Sequence, residues 1–275
     1  MKFEMWSFWH FFYILSPALI MIPLYFLLRK RSEKTKYIVG AIIGVASLAV
    51  ITTRCIYYYV THGFHPQEIP LQICHFGNIM VFIALLFKSK IAGCISWSLN
   101  LPAAFSSLVL ADSLAKYENV WDVLPQCYIW GHLLIVVGAL YPIILKTIRF
   151  RIKDFYIGLG VLFALLITAI ILNSYFNDTF FNEDGTKKWF INYFYIYNSK
   201  GVPFKFIQDL FPRAHYGWFT IDWAYTLILI AIFVPFIYGV SCIPMLFYRK
   251  DKDYKTTNVY TDIKNYYLNK KQVNA

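Results

Sequence analysis

Cys74 and His75 stand side by side in "IPLQICHFGN", residues 69–78, at the mouth of an apolar run. A thiolate can accept an acyl group to form a thioester, and a nearby imidazole can take its proton or hold it as an ion pair. Neighbours on a helix point ~100° apart, so His75 is poorly aimed to serve Cys74. The base should come from another segment, where His132 in "IWGHLLIV" and His10 in "FWHF" are the candidates. Asn78, four residues after Cys74, shares its helix face and could help orient a substrate carbonyl. Arg54 offers a guanidinium suited to a phosphate or carboxylate. Each residue also has a structural reading. Cys74 could be a small buried residue, or half of a disulfide with Cys55 or Cys127. His132 could be a core histidine bonded to a neighbouring carbonyl, and Arg54 could form an ion pair with Asp222.

These residues need elements to position them, and the composition says which kind. Apolar residues make up 59% of the 275-residue chain and charged residues 15%, against roughly 25% charged in an average soluble domain. The apolar residues fall in seven blocks: 6–28, 37–60, 69–87, 91–112, 127–146, 154–175 and 219–247. Blocks of about twenty residues cross a ~30 Å hydrocarbon layer at ~1.5 Å per residue. The expected fold is all-α, a single seven-helix membrane domain over 1–247 followed by a polar tail, 248–275. The fourth block is the weakest, interrupted by Asn100, Pro102 and four serines. The first reads as a membrane helix rather than a cleaved leader, because its apolar stretch is long and "RKRSEKTK" follows it.

The formal charge of +11 is a topology signal rather than a nucleic-acid footprint. Of the 26 Lys and Arg, 18 fall between blocks 1 and 2, 3 and 4, and 5 and 6, or in the tail. The positive-inside rule then sets the N-terminus outside and the C-terminus in the cytoplasm of a multi-pass protein of the cell membrane. In that orientation Cys74 and His132 lie ~7 Å below the outer end of their helices, His10 ~6 Å, Arg54 ~9 Å and Asp222 ~5 Å. All six histidines fall on the outer side. Ionisable groups at one depth on five helices suggest a shared polar cavity, although each alone could snorkel to the headgroups. The outer loop 176–218 carries a turn at "NEDG", an aromatic stretch at "KWFINYFYIYN" and a helical pattern at "PFKFIQDLF". It could close over the cavity as a lid or serve only as an interfacial anchor.

Other chemistries are open. His62 and His65 in "THGFHP", with Asp112 or Asp222, could supply a zinc site of a metal-dependent lipid hydrolase, but no helical H-x-x-x-H pair occurs. No metal or other cofactor is expected on the thiol reading. A small-solute or lipid transporter would use Arg54 for an anion, but Pro102, Pro142, Pro235 and Pro244 show no repeated-half symmetry.

The order of short motifs resembles one family. "FWHF" with His10, "IPLQIC" with Cys74, "WGH" with His132 and "INYFYI" with Asn192 and Tyr193 resemble the YwaF-like integral membrane proteins. That family is similar to an animal transmembrane acyltransferase that remodels polyunsaturated ether phospholipids without coenzyme A. The resemblance spans roughly residues 6–247. It implies a membrane acyltransferase or transacylase with Cys74 as acyl-accepting nucleophile, His132 and less directly His10 as its partners, and Asn192 and Tyr193 as site-shaping loop residues. The implied partners are a phospholipid donor and a lysophospholipid or lipoprotein acceptor at the bilayer surface.

Overall fold

The computed structural model describes residues 2–197, 214–216 and 219–248. Helix α1 covers Phe8–Leu28, α2 Glu33–His62 and α3 Ile73–Phe87. Next come α4, Lys90–Ile95, and α5, Leu101–Val109, then α6, Val123–Ile144, and α7, Ile152–Thr179. A short antiparallel hairpin, β1 (Ala214–Tyr216) and β2 (Phe219–Ile221), pairs His215 with Thr220 and leads into α8, Trp223–Tyr248. Among the described residues, six helices are long and apolar enough to cross a membrane: α1, α2, α3 with its preceding turn, α6, α7 and α8.

The fourth expected block departs from a continuous span. It folds as α4, a π-turn at Ser96–Asn100 and the short α5. Pro102 has no N–H and its ring crowds the carbonyl four residues back, so an extra residue is accommodated just before it. Local bonds stitch the break to its neighbours. Trp97 Nε1 donates to Val240 O at 2.7 Å, and Asn100 Nδ2 donates to Ile73 O at 3.1 Å. The second bond fixes the break against the residue preceding Cys74. The last block also begins differently, because residues 219–221 are strand rather than helix.

Helix ends follow from local chemistry. Ser7 Oγ accepts from His10 N, and Ser32 Oγ from Thr35 N, capping α1 and α2. At the start of α7, Asp154 Oδ2 accepts from Arg151 N at 2.8 Å, completing a capping box. The hub of the bundle is α6, which packs on α1, α2, α3 and α5. It approaches α3 so closely that a Cβ at Gly138 would stand 2.3 Å from Val81 Cγ1. By contrast α1 exposes Phe8, Leu15, Leu19, Ile22 and Phe26 at helical spacing. Such a stripe suits lipid and would be a liability in water.

Candidate active site

Cys74 is the second residue of α3. Gln72, which precedes the helix, makes no side-chain bond to its first turn. The turn's backbone bonding starts with Phe76 N–H donating to Gln72 O at 2.8 Å. The amides of Ile73, Cys74 and His75 thus point forward from the helix, where the positive end of its dipole favours an anion. Across from Cys74, on α6, the His132 imidazole lies within electrostatic range of the thiol. Its Nδ1 is 2.6 Å from Tyr128 O. A carbonyl only accepts, so Nδ1 holds the proton and Nε2 keeps a free lone pair. The Tyr128 ring leans on the imidazole with centroids 4.2 Å apart, and its hydroxyl donates to Ser107 O at 2.7 Å. Ser107 Oγ donates to Ala103 O and sits 3.9 Å from Cys74 Sγ. A thiol, an imidazole and a carbonyl that orients the imidazole are therefore gathered from α3 and α6, an arrangement able to serve nucleophile-and-base chemistry.

His10 takes a different role from the one expected. Trp6 N–H donates to its Nδ1 at 2.9 Å, and its Nε2–H donates to Leu108 O at 3.0 Å. Both nitrogens are occupied and the ring is fully buried. It has no lone pair to offer Cys74. Instead it pins α1 to the last turn of α5, one residue from Ser107.

A family model described as the TMEM164 family matches residues 5–238, a stretch containing every residue of this site. The chain belongs to the TMEM164 family. Searches of curated proteins and of solved structures gave no match. The family assignment and the six apolar helices make this a multi-pass membrane protein.

The other residues singled out in this TMEM164-family chain are engaged elsewhere in the fold. Arg54 pairs with Glu68, not Asp222: its two terminal nitrogens meet both carboxylate oxygens, one at 3.1 Å. Glu68 lies in the turn Pro66–Glu68, so the pair holds the segment that leads into Cys74. A basic residue finds a carboxylate 14 positions away more readily than one at the far end of the chain. Asp222 instead caps α8, its Oδ1 accepting from Tyr225 N at 3.0 Å. Asn78 is spent between helices, donating to Cys74 O at 3.1 Å and accepting from Ser47 Oγ at 2.8 Å. All five cysteines are free, so the disulfide reading of Cys74 has no partner in Cys55 or Cys127. Among the described residues, no three His, Cys, Asp or Glu side chains converge as a metal ligand set.

Asn192 and Tyr193 shape the loop. Asn192 Oδ1 accepts from Tyr197 N at 3.0 Å, and the buried Tyr193 donates its hydroxyl to Pro66 O. Three polar residues on α7 grip this loop as a strand would. Asn173 Oδ1 accepts from Tyr193 N at 2.8 Å while its Nδ2 donates to Tyr193 O at 3.0 Å. Asn177 does the same for Ile191 at 2.9 and 2.7 Å, and Ser174 bonds both backbone groups of Thr220. The expected "NEDG" turn is present, with Gly185 N–H donating to Asn182 O and a left-handed φ of 79° at Gly185. The surface helix expected at 203–211 lies outside the described residues.

The grip has a consequence at the thiol. Phe194 and Tyr195 adopt left-handed backbone at φ 55° and 57°, a conformation non-glycine residues hold only when their surroundings impose it. The turn carries the Tyr195 phenol into electrostatic range of Cys74 and Tyr128. Although 46% of the residue stays exposed, burial of its polar end, and then the charge at Cys74, push the phenol above its ordinary value. Tyr195 therefore keeps its proton and remains a donor. Sequence reading passed over Tyr195, Ser107, Tyr128 and the Asn173–Asn177 pair. Only the last left a trace, two asparagines at i, i+4 in the apolar "ILNSYFND".

Proposed function

We propose that this protein is a membrane transacylase that moves a fatty acyl chain from a phospholipid, through a Cys74 thioester, to a lysophospholipid or lipoprotein acceptor. One observation carries the reading. The His132 imidazole stands within electrostatic range of the Cys74 thiol, and its Nδ1 is committed to the Tyr128 carbonyl. Nε2 of His132 takes the thiol proton, and the sulfur attacks the ester carbonyl carbon. The carbonyl oxygen becomes an oxyanion facing the amides at the start of α3, with the Tyr195 hydroxyl as a further donor. Collapse breaks the C–O bond, and His132 returns its proton to the departing lysophospholipid oxygen, leaving the acyl thioester. An acceptor hydroxyl or amine then gives its proton to His132 and attacks the thioester. The C–S bond breaks and the thiolate is reprotonated.

The basic excess on the opposite side supports an outward-facing thiol, with the N-terminus outside and the tail in the cytoplasm. Coenzyme A thioesters are cytosolic, so an outward thiol would draw on another acyl donor, and outer-leaflet phospholipid is at hand. The test is intact-mass analysis of the purified protein after incubation with phospholipid. An acyl mass that neutral hydroxylamine removes, absent in Cys74→Ser and slowed by ~10²–10⁴-fold in His132→Ala, is expected for general-base loss. Labelling that persists in Cys74→Ser would overturn the mechanism.

A further inference from the structure

An apolar groove runs beside the site between α7 and α8, which touch only sparingly. All of its lining residues are apolar. Its upper end is formed by Ile73, the residue before Cys74, and by Phe194 and Ile196, which flank Tyr195. From there it descends past Leu162 and Val234 to Ile237. From Leu229 to Ile237, both in its wall, is eight residues, or ~12 Å along the α8 axis. Its deep end lies ~21 Å from the start of that helix, past the middle of a ~30 Å hydrocarbon layer.

We propose that this groove seats the acyl chain that Cys74 receives, and that its depth measures chain length. The proposal rests on the transacylase reading and adds what selects the substrate. Three features point to hydrocarbon as the occupant. The groove offers no polar partner, so a headgroup or solute would lose its hydrogen bonds there. Its walls are membrane-spanning helices, where the surrounding medium is itself acyl chain. Its direction also matches that of a lipid tail, whose ester end lies near the interface and whose methyl end lies near the bilayer centre. A chain lying in it brings its first carbon to the level of Ile73, the residue before Cys74. The left-handed turn at Phe194 and Tyr195 thus serves two ends at once. It sets Phe194 in the groove wall and the Tyr195 phenol within electrostatic range of the thiol.

The groove acts as a ruler if bulk added along α8 shortens the chain accepted. Ile230 and Val234 both line it, one helical turn apart, with Ile230 nearer the start of α8. The experiment offers the full-length protein didecanoyl or dipalmitoyl phosphatidylcholine in mixed micelles and reads the mass added to Cys74. Wild type should carry either chain. Val234→Trp should retain decanoyl and lose palmitoyl labelling by at least about tenfold, the factor an overpacked apolar site gives. Ile230→Trp should lose both. Leu227→Trp, on the same helix but lipid-exposed, should behave as wild type, and melting temperatures identify any variant that fails to fold. Equal chain preference in folded Val234→Trp and wild type would overturn the ruler while leaving the thioester chemistry standing.

If wild type takes up neither chain, it is the transacylase reading that fails. A phosphatidylcholine carrying a diazirine near its chain end then tests the groove in Cys74→Ala protein. Cross-links within residues 229–237 would support a chain seat, and cross-links only on the outer face of α1 would overturn it.

Discussion

Asn173→Ala tests whether the α7 clamp, rather than the loop itself, positions the site. Asn173 is buried, and its amide satisfies both backbone groups of Tyr193, at 2.8 and 3.0 Å. Truncation leaves one donor and one acceptor unpaired beside a fully buried Tyr193. At ~1–3 kcal/mol for each stranded group the cost is about 2–6 kcal/mol, and loop relaxation favours the lower half. For a domain of this size that lower half corresponds to a fall of roughly 4–16 °C in melting temperature, at ~2–4 °C per kcal/mol. Asn173→Asp sharpens the test. It keeps the acceptor for Tyr193 N–H but turns an anion toward Tyr193 O, so it should be at least as damaging despite its near-identical shape. The same two variants should slow acyl labelling of Cys74, because Tyr195 is two residues beyond the clamp. The assay is a thermal-shift series in detergent run beside time-resolved intact mass. An unchanged melting temperature in both variants would refute the clamp. A lowered one with wild-type labelling would refute its link to the thiol.

Three further expectations follow from packing and pairing. His10→Ala strands Leu108 O and Trp6 N–H and should cost ~2–4 kcal/mol by thermal unfolding, while the folded fraction still labels at Cys74. Gly138→Ala drives a methyl into the branched Val81 side chain, costing ~1–3 kcal/mol, and Val81→Ala in the same chain should restore much of the lost melting temperature. Glu68→Gln keeps the shape but strands the Arg54 charge. It should be more destabilising than the double change Arg54→Met, Glu68→Leu, measured by the same unfolding assay.

Hydropathy made the spans legible because the requirement behind them is simple: ~20 apolar residues, caps at the ends and charges outside. It failed at Ser96–Asn100, where a proline and an asparagine signal weakness but not how a helix will absorb it. Depth matching brought Cys74 and His132 together, yet assigned His10 to the same pocket. Position along a helix gives height, not the direction in which a ring points, and His10 turns to Trp6 and Leu108. Arg54 was misassigned for a related reason. Its partner sits on a three-residue turn with no periodic signal, whereas Asp222 stood out as an acid in an apolar block. Tyr195 had no signal of its own, since its placement depends on the left-handed turn that Asn173 enforces from another element.

These placements share one logic. In a bilayer a backbone or side-chain polar group left without a partner is costly, so such groups are normally absorbed within the fold. Here many such groups are absorbed: His10 is bonded at both nitrogens, Asn78 at both ends, Arg54 to a carboxylate, and Asn173 and Asn177 to whole peptide units. Some polar groups beside the thiol keep unspent capacity, Gln72 Oε1 and His75 Nδ1 among them, both buried without a hydrogen-bond partner. Those a reaction could draw on are the first-turn amides of α3, the Nε2 lone pair of His132 and the Tyr195 hydroxyl. Gln72, the position where a capping serine or aspartate would have satisfied those amides, makes no such bond. Supplying that cap, as Gln72→Asp, should therefore stabilise the fold by the ~0.5–2 kcal/mol a cap contributes and raise the melting temperature accordingly. The same change should slow acylation, because the new carboxylate occupies the amides and opposes an oxyanion. A variant both more stable and equally fast would mean the amides take no part in the chemistry.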